Sequence, residues 1–424
     1  MKILYISQYF SPEMGAPAAR AAELSRHWAR MGHEVTVLTG FPNHPTGVVP
    51  PEWRSRFQHL RYSEKVDGVR VERTWLWPLP NRKAHERIRN YASFCVSAAL
   101  SGLALPRPDV IIATSPQLLC ALSGWWLARW KHVPFIFEVR DLWPESLAAV
   151  GAGGEGTLLH SGLGAIADFL YRSAERIVVV TPAFKEHLIA HRHVPARKIS
   201  VVENGVETDA FRPDSAAADE VRKRLSLDGR LVVCYIGTIG MAHGLESLIG
   251  AAEELQTTLP DATFLVIGEG AEKQNILDLA ASRGLANIRF LDQQPHESIP
   301  AFVSAADLCL VLLKRTDLFK TVIPTKLLEY MSCARPVIVA VDGQSRQLVE
   351  DARAGMFAEP EDSHALTKAI CDLARDPAGR NQMGINGRQY IVKNLSREQT
   401  AQNYISVLEG LLGRETSGVG GLAA

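Results

Sequence analysis

Lys326 and Glu329 stand three residues apart in the run Ile323-Pro324-Thr325-Lys326-Leu327-Leu328-Glu329. That spacing puts an amine and a carboxylate on one face of a helix. Proline is tolerated in a first helical turn and a threonine oxygen can cap free backbone N–H groups, so a helix is expected to open at Pro324 and Thr325. The unpaired N–H groups at such an opening carry the positive end of the helix dipole and can seat phosphates, with the Lys326 charge beside them. Glu329 can accept two hydroxyl hydrogen bonds, as a ribose would offer. This is half a nucleotide site. The same residues would also make an ordinary surface Lys–Glu pair worth only ~0.2–0.5 kcal/mol, and the elements around them decide between the two.

Those elements alternate. Residues 2–7 read as a buried strand, 18–31 as a helix with Leu24 and Trp28 on one face, and 34–39 as the next strand. Strands at 109–114, 134–139 and 177–181 continue the series, as expected of a parallel sheet covered by helices on both faces. A second series follows Glu203-Asn204-Gly205-Val206, with strands at 231–236, 263–267, 288–291, 308–313 and 337–340 and helices such as 245–259 and 272–283. A chain of 424 residues is too long for one ordinary core and fits two domains of about 200 residues each. The expected domains are 1–204 and 205–395, joined at the polar run 203–214. The amphipathic stretch at about 396–412 is expected to cross back to the first domain, and the Gly-rich tail 413–424 to be disordered.

Composition narrows the function. With 46% hydrophobic and 22% charged residues, and 46 charges of each sign, the chain reads as a globular enzyme without global affinity for polyanions. Nucleic acid is therefore not an expected partner. The cysteines at 95, 120, 234, 309, 333 and 371 form no C-x-x-C pair and have mostly apolar neighbours, which disfavours metal clusters and disulfides and fits a reducing compartment. The apolar run after Lys2 is too short for a signal peptide, so a cytoplasmic protein is expected. Residues 110–128 hold no charge over about the length of a membrane span, but Thr114-Ser115-Pro116-Gln117 divides them into a strand and a helix. The apolar run 92–105 is too short to cross.

Doubly wound sheets place ligands beyond the carboxyl ends of their strands, so two facing domains would offer loops to a common cleft. A dinucleotide coenzyme needs Gly-x-Gly-x-x-Gly after the first strand and an acidic residue ending the second. The loop 8–17 has one glycine, Gly15, and the second strand ends Leu38-Thr39-Gly40, which excludes a simple dehydrogenase there. In the second domain the first turn reads Gly237-Thr238-Ile239-Gly240-Met241-Ala242-His243-Gly244, wrongly spaced for that fingerprint but open to close backbone approach by phosphate. Gly268-Glu269-Gly270 closes the second strand of that domain.

With these parts in order, the chain resembles the retaining glycosyltransferases of family four, whose α/β GT-B fold has two facing Rossmann-like doubly wound parallel-sheet domains. Within that family it is most similar to bacterial N-acetylfucosamine (L-fucosamine) transferases of O-antigen and capsule assembly. That similarity rests on Gly40-Phe41-Pro42-Asn43-His44-Pro45-Thr46-Gly47 and Phe137-Glu138-Val139-Arg140-Asp141-Leu142-Trp143-Pro144-Glu145-Ser146. The resemblance implies a donor, read as a UDP-linked acetamido sugar, bound by Gly15, Gly237, Thr238, His243, Gly244, Gly268, Glu269, Gly270, Thr321 and Pro324, Thr325, Lys326, Leu327, Leu328 and Glu329. It would set Glu329 on the ribose, the 268–270 turn near the nucleoside, and Arg289 and Phe290 near the base. Two positions depart from the family. Thr321 stands where many members have a glutamate facing the donor sugar, and Thr238 and His243 stand where relatives place Arg and Lys. Lys326, with Lys314 or Arg315 behind it, must then meet more of the diphosphate charge, and His243 adds to it only if protonated.

Sugar transfer needs the leaving diphosphate stabilised, which a helix N-terminus and a lysine can do without a metal. No Asp-x-Asp signature occurs, so no metal or other cofactor is expected. Asp141, then Glu145, are the candidates for assisting the acceptor hydroxyl, because both follow the strand 134–139 at its carboxyl end. Arg140 replaces a histidine common in relatives; Arg140 and Asp141 could equally brace the Trp143-Pro144 loop. Retention is implied by the resemblance alone. The first domain is expected to face the acceptor, through a mobile loop 41–56 carrying Asn43 and His44. Residues 78–89, with Arg82, Lys83, Arg87 and Arg89, run into the apolar stretch 92–105, an order that suits an anionic membrane surface. Trp75, Trp77, Trp125, Trp126 and Trp130 are possible interfacial anchors. A polyprenyl-diphosphate-linked saccharide is the expected acceptor, at the inner face of the cytoplasmic membrane. A non-hydrolysing sugar-nucleotide epimerase and a catalytically silent sugar-nucleotide sensor are the alternatives.

Overall fold

The computed structural model describes residues 1–413 except 14, 45, 81–83 and 147–156, with backbone alone at 84, 158 and 159. Pro45, Arg82, Lys83 and the tail from 414 onward, named above, lie outside the described residues. The chain forms two compact α/β units, one of Met1–Glu203 with Arg397–Ala424 and one of Asn204–Ser396.

The first unit is built on strands β1 (Lys2–Ile6), β2 (Glu34–Gly40), β3 (Arg61–Val66), β4 (Val69–Thr74), β5 (Val110–Thr114), β6 (Phe135–Val139), β7 (Arg176–Val179) and β8 (Ile199–Val201). They lie in the order β3-β4-β2-β1-β5-β6-β7-β8, parallel except for β3. Ile3, Leu4, Tyr5 and Ile6 are all buried, as both faces of the central strand are covered. The chain runs outward from β1 on one side and resumes at β5 on the other, which opens a crevice at the carboxyl ends of these two strands. The helix Ala16–Arg30 follows β1, and Trp28 on it packs against Tyr5 (5.5 Å between ring centres) and Tyr404 (5.1 Å). Tyr404 belongs to the helix Arg397–Leu412, whose Arg397 also reaches Glu23 at 2.7 Å, so this last helix is part of the first unit.

The segment 110–128 divides as expected, into β5 and the helix Leu118–Lys131. Among the described residues no helix is long and apolar enough to cross a membrane. The β3–β4 hairpin is a difference from the sequence reading. The sequence offers no strand there because Arg73 is buried in an ion pair with Glu64 (2.6 Å) and Glu72 in one with Arg70 (2.6 Å), which removes the apolar alternation that marks a strand. β3 itself is an edge strand whose side chains alternate between exposed and half-buried.

The second unit contains β9 (Leu231–Ile236), β10 (Ala262–Ile267), β11 (Ile288–Leu291), β12 (Leu308–Leu312), β13 (Val337–Ala340) and β14 (Gly355–Phe357), in the parallel order β11-β10-β9-β12-β13-β14. Val232, Cys234 and Ile236 enter one buried cluster and Val233 and Tyr235 the other, the two-residue period of a strand covered on both faces. Strand order reverses between β9 and β12, so the crevice of this unit lies beside the turn that follows β9.

Candidate functional site

The helix after β12 spans Thr325–Ser332, with Pro324 as its N-cap and no side-chain cap. Thr325 is therefore the first helical residue and not the capping residue expected from the sequence: proline already supplies the extended entry, at ψ 137°. The helix is fastened beside the turn after β9 by Tyr330. Its hydroxyl accepts from the Ile236 N–H at 2.8 Å and donates to the Ile236 carbonyl at 2.9 Å. Leu327 and Leu328, expected among the donor-binding residues, turn their side chains into the core instead, because two adjacent apolar residues on a helix packed against a sheet both fall on its buried side.

Lys326 is thereby set against the turn 237–244. Its ammonium nitrogen lies 4.0 Å from the centre of the Tyr235 ring, and a Cβ at Gly237 would fall 2.5 Å from it. Only glycine leaves that amine its place. The 268–270 turn closes on the same backbone: a Cβ at Gly268 would stand 1.9 Å from the Gly237 carbonyl oxygen, and one at Gly270 2.1 Å from the Ile239 carbonyl oxygen. Both glycines are therefore required by close approach of two backbones. The turns are laced together by Ile239 N–H to Glu269 O (2.9 Å) and Glu272 N–H to Ile239 O (3.0 Å).

The Lys326 amine is buried and has no hydrogen-bond partner among the described residues, and the same is true of His243 Nδ1. Burial pulls the Lys326 amine down to about 7, with the Glu329 carboxylate only partly opposing it. Burial and the Lys326 charge bring His243 down to about 4, so this histidine is neutral at physiological pH and adds no cation. An unpaired buried polar group costs roughly 1–3 kcal/mol. A site that carries two such groups beside a helix N-terminus and a glycine-rich turn is suited to an anion, whose oxygens would accept from the ammonium.

The other residues expected on the donor side are engaged with their own neighbours. Glu329 is mostly buried, with His296 Nε2 at 3.9 Å from its carboxylate. Gly244, with φ 57°, packs on Lys314, whose backbone N–H donates to the Ala242 carbonyl at 2.9 Å. Arg315 is taken up by Glu359 at 2.7 Å. Glu269 pairs with Lys273 at 2.5 Å. The Thr321 hydroxyl donates to the Leu318 carbonyl at 2.6 Å. The Arg289 guanidinium donates to the Leu225 carbonyl, while Phe290, the next residue, packs against the core of the opposite face. Tyr235, Tyr330 and His296 had no signal in the sequence, because each owes its place to a contact with a distant segment.

In the first unit, Gly15 opens the helix Ala16–Arg30 with φ 122°. Arg20 on that helix forms a buried ion pair with Glu138 of β6 at 3.0 Å, and the Tyr5 hydroxyl donates to the same carboxylate at 2.7 Å. Ser115 Oγ accepts from the backbone N–H groups of Arg140 (2.8 Å) and Asp141 (3.3 Å). The Asp141 carboxylate accepts from Trp143 Nε1 at 3.1 Å and from the Ser146 hydroxyl. Burial raises its carboxyl above the ordinary range. Arg140 donates to the Pro17 carbonyl at 3.4 Å, and its buried Nε has no partner among the described residues.

Glu145 does not suit the proton-accepting role expected of it. Arg192 (2.6 Å) and His187 (3.4 Å) grip its carboxylate, and Arg192 also holds Asp168 at 3.2 Å. Burial alone would raise this carboxyl, but the His187 and Arg192 hydrogen bonds outweigh it and hold it at about 2, where it is a weak base. Asn43 is buried, its amide donating to the Phe41 carbonyl at 2.9 Å and its oxygen accepting from Asn90 at 3.2 Å, so its side chain is a brace within the unit. His44 is exposed, its ring 4.8 Å from that of Tyr9.

Known proteins share this architecture. Residues 15–205 match the family described as glycosyl transferase 4-like domain, and residues 217–390 match glycosyl transferases group 1. The chain is 26% identical over 423 residues to the putative colanic acid biosynthesis glycosyl transferase WcaI of Escherichia coli K12, covering 97% of this chain and all of that protein. Among solved structures, sucrose-phosphate synthase from Thermosynechococcus elongatus superposes with a TM-score of 0.77 at 20% identity, covering 97% of this chain and 99% of that one. Anabaena HepE (Alr3699) in complex with UDP-glucose superposes with a TM-score of 0.73 at 17% identity, covering 97% of this chain and the whole of the other. The two family matches fall one on each unit, and the chain is a glycosyltransferase with a glycosyl transferase 4-like first domain and a group 1 second domain.

Proposed function

We propose that this glycosyltransferase moves an acetamido sugar, read most specifically as N-acetyl-L-fucosamine, from a UDP-linked donor to a polyprenyl-diphosphate-linked saccharide. The reaction retains anomeric configuration, uses no metal, and serves surface-polysaccharide assembly at the inner face of the cytoplasmic membrane. The observation that carries the donor half is the partnerless Lys326 amine held between Tyr235 and Gly237 at a helix N-terminus, a place for the diphosphate of a nucleotide sugar. HepE, similar in fold, was solved with UDP-glucose, and WcaI, similar in sequence, is named for colanic acid biosynthesis. Both support the reading.

A lipid-borne acceptor is supported by the first unit. Ile88, Ala92, Val96 and Leu100 recur every four residues along the helix Ala84–Leu103, and Val96 and Leu100 are 61% and 63% exposed. Beside them a groove of about 600 Å³ is lined by Trp75, Trp77, Ala92, Val96 and Leu100, with the Arg89 guanidinium 6.0 Å from the Trp77 ring. An apolar stripe with a cation at its head suits a hydrocarbon chain that carries a phosphate group.

Thermal shift against UDP-, GDP- and TDP-sugars tests the donor. A UDP-sugar is expected to raise Tm most, since a ligand at a hundred times its Kd stabilises by ~2.7 kcal/mol. A response to GDP-sugars alone would replace the base, and no response to any would remove the donor assignment. Sedimentation with anionic liposomes at low salt tests the membrane half, and failure to bind would remove it. In a transfer assay Asp141→Asn is expected to slow turnover about tenfold, the worth of one good hydrogen bond. Unchanged turnover would leave Asp141 only the bracing of Trp143 and Ser146.

A further inference from the structure

Around the loop that follows β1, two buried oxygens have no donor. Gln8 Oε1 and Glu13 Oε2 are both without a hydrogen-bond partner among the described residues. The orientation of Gln8 is fixed by its neighbours. Asn90 Nδ2 donates to the Trp77 carbonyl (2.8 Å) and to Asn43 Oδ1 (3.2 Å), so Asn90 Oδ1 faces Gln8 and accepts from Gln8 Nε2 at 2.5 Å. That leaves Gln8 Oε1 as the oxygen with nothing to accept. Glu13 Oε1 accepts two successive backbone N–H groups, those of Asn43 and His44, both at 2.9 Å. Its second oxygen remains.

Both residues are tied to Asn43, Gln8 through its amide nitrogen and Asn90, and Glu13 through the Asn43 backbone, at the carboxyl ends of β1 and β2. A loop brace needs only one carboxylate oxygen. A carboxylate with one oxygen spent and one buried and unpaired is costly in the empty protein, because the desolvated oxygen has lost its water partners and gained none. Burial, only partly offset by the Asn43 and His44 N–H groups and by the Arg73 charge, raises the Glu13 carboxyl to about 7, and a ligand hydroxyl that donates to Glu13 Oε2 would favour its ionised, accepting form. Hydrogen-bond acceptors in want of donors are what a hydroxyl-rich ligand satisfies. We propose that Glu13, with Gln8, forms an acceptor-binding subsite in which Glu13 Oε2 takes a hydrogen bond from a hydroxyl of the acceptor saccharide, while Glu13 Oε1 holds the Asn43–His44 turn beside it.

This inference rests on the transferase reading above. Glu13→Gln separates its two halves, because the amide oxygen can still accept from Asn43 and His44 while the second oxygen becomes an N–H₂ donor. In the full-length protein, transfer is measured from the UDP-sugar that raises Tm most, at varied concentrations of an extracted pool of polyprenyl-diphosphate-linked saccharides. The expected result is a roughly tenfold rise in the half-saturating acceptor concentration, with donor KM and Tm unchanged. Equal acceptor saturation in Glu13→Gln and wild type would overturn the proposal and leave Glu13 a loop brace. Should Glu13→Gln melt early, Gln8→Asn, which withdraws the other unpaired oxygen, is expected to raise the same constant, and an unchanged value there would overturn the proposal. No transfer by the wild-type protein would instead remove the transferase reading of substrate, and this subsite with it.

Discussion

Lys326→Met is expected to lower kcat/KM by roughly 10²–10³ while leaving the empty protein at least as stable as wild type, the loss being that of one donor aimed at developing charge. The two effects part because the amine is a liability until an anion arrives. It is buried, has no hydrogen-bond partner among the described residues, and rests on the Tyr235 ring at 4.0 Å. Methionine fills nearly the same volume without a polar atom to satisfy. Steady-state kinetics and a melting curve of the same preparation check both halves. A variant that loses stability and keeps its activity would contradict the assignment of Lys326 to the leaving diphosphate.

The same amine gives the site a pH signature. Because the folded value is about 7 against an ordinary 10.5, the unfolded chain binds more protons through that window. Lys326 therefore makes the stability of the empty protein rise with pH from about 7 to 10.5, and its cost is largest below about 7. A diphosphate selects the ammonium. Nucleotide binding at pH 8 should accordingly take up a proton, and affinity should fall by up to about tenfold per pH unit above the folded value. Titration calorimetry of UDP in buffers of different ionisation enthalpy reads that uptake, and Lys326→Met should abolish it. His243, held at about 4 by burial and by the Lys326 charge, should contribute nothing between pH 6 and 9.

Arg20→Met is expected to destabilise the first unit by roughly 3–5 kcal/mol, the cost of removing one partner from a buried ion pair. The guanidinium is 2% exposed and the Glu138 carboxylate wholly buried. Its Nε and Nη2 donate to one oxygen of that carboxylate at 3.1 and 3.0 Å, and Tyr5 holds the other oxygen. Burial would raise the Glu138 carboxyl, but Arg20 and Arg140 outweigh it and hold it below the ordinary range. In the wild type this pair thus adds stability above the ordinary carboxylate range and loses it as pH falls. Without Arg20, burial dominates and Glu138 gains a proton, so the deficit of the variant should be largest at neutral pH and shrink in acid. Urea unfolding at pH 7 and pH 5 measures it, and adding Glu138→Gln should recover part of the loss. A deficit below about 1 kcal/mol at pH 7 would mean that packing, and not the charge pair, fixes the helix Ala16–Arg30 and with it Gly15.

Much of the fold was legible because parallel strands covered on both faces are written as short apolar runs, and β1, β2, β5, β6 and β9 to β13 each coincide with such a run to within about two residues. The β3–β4 hairpin was not legible, since Arg73 and Glu72 are buried only by virtue of partners across the hairpin or beside them. At the site, the helix start at Pro324 and the glycine turns were legible from residue types with few other uses. The burial of Leu327 and Leu328, the capture of Glu145 by Arg192 and the inward turn of Asn43 were not, because each depends on what another segment places opposite.

Residue types along the chain sufficed to specify two Rossmann-like units, a helix beginning at Pro324, and close backbone approach at Gly237, Gly268 and Gly270. Local propensity and periodicity are properties of neighbouring residues, and neighbouring residues are what a sequence displays. It took packing to strand the Lys326 amine on Tyr235, to keep His243 neutral, and to leave Glu13 and Gln8 each with an oxygen that has no partner among the described residues. A side chain's charge state and unspent hydrogen bonds are set by desolvation and by partners brought in from distant parts of the chain. Those quantities come into being only when the chain has packed.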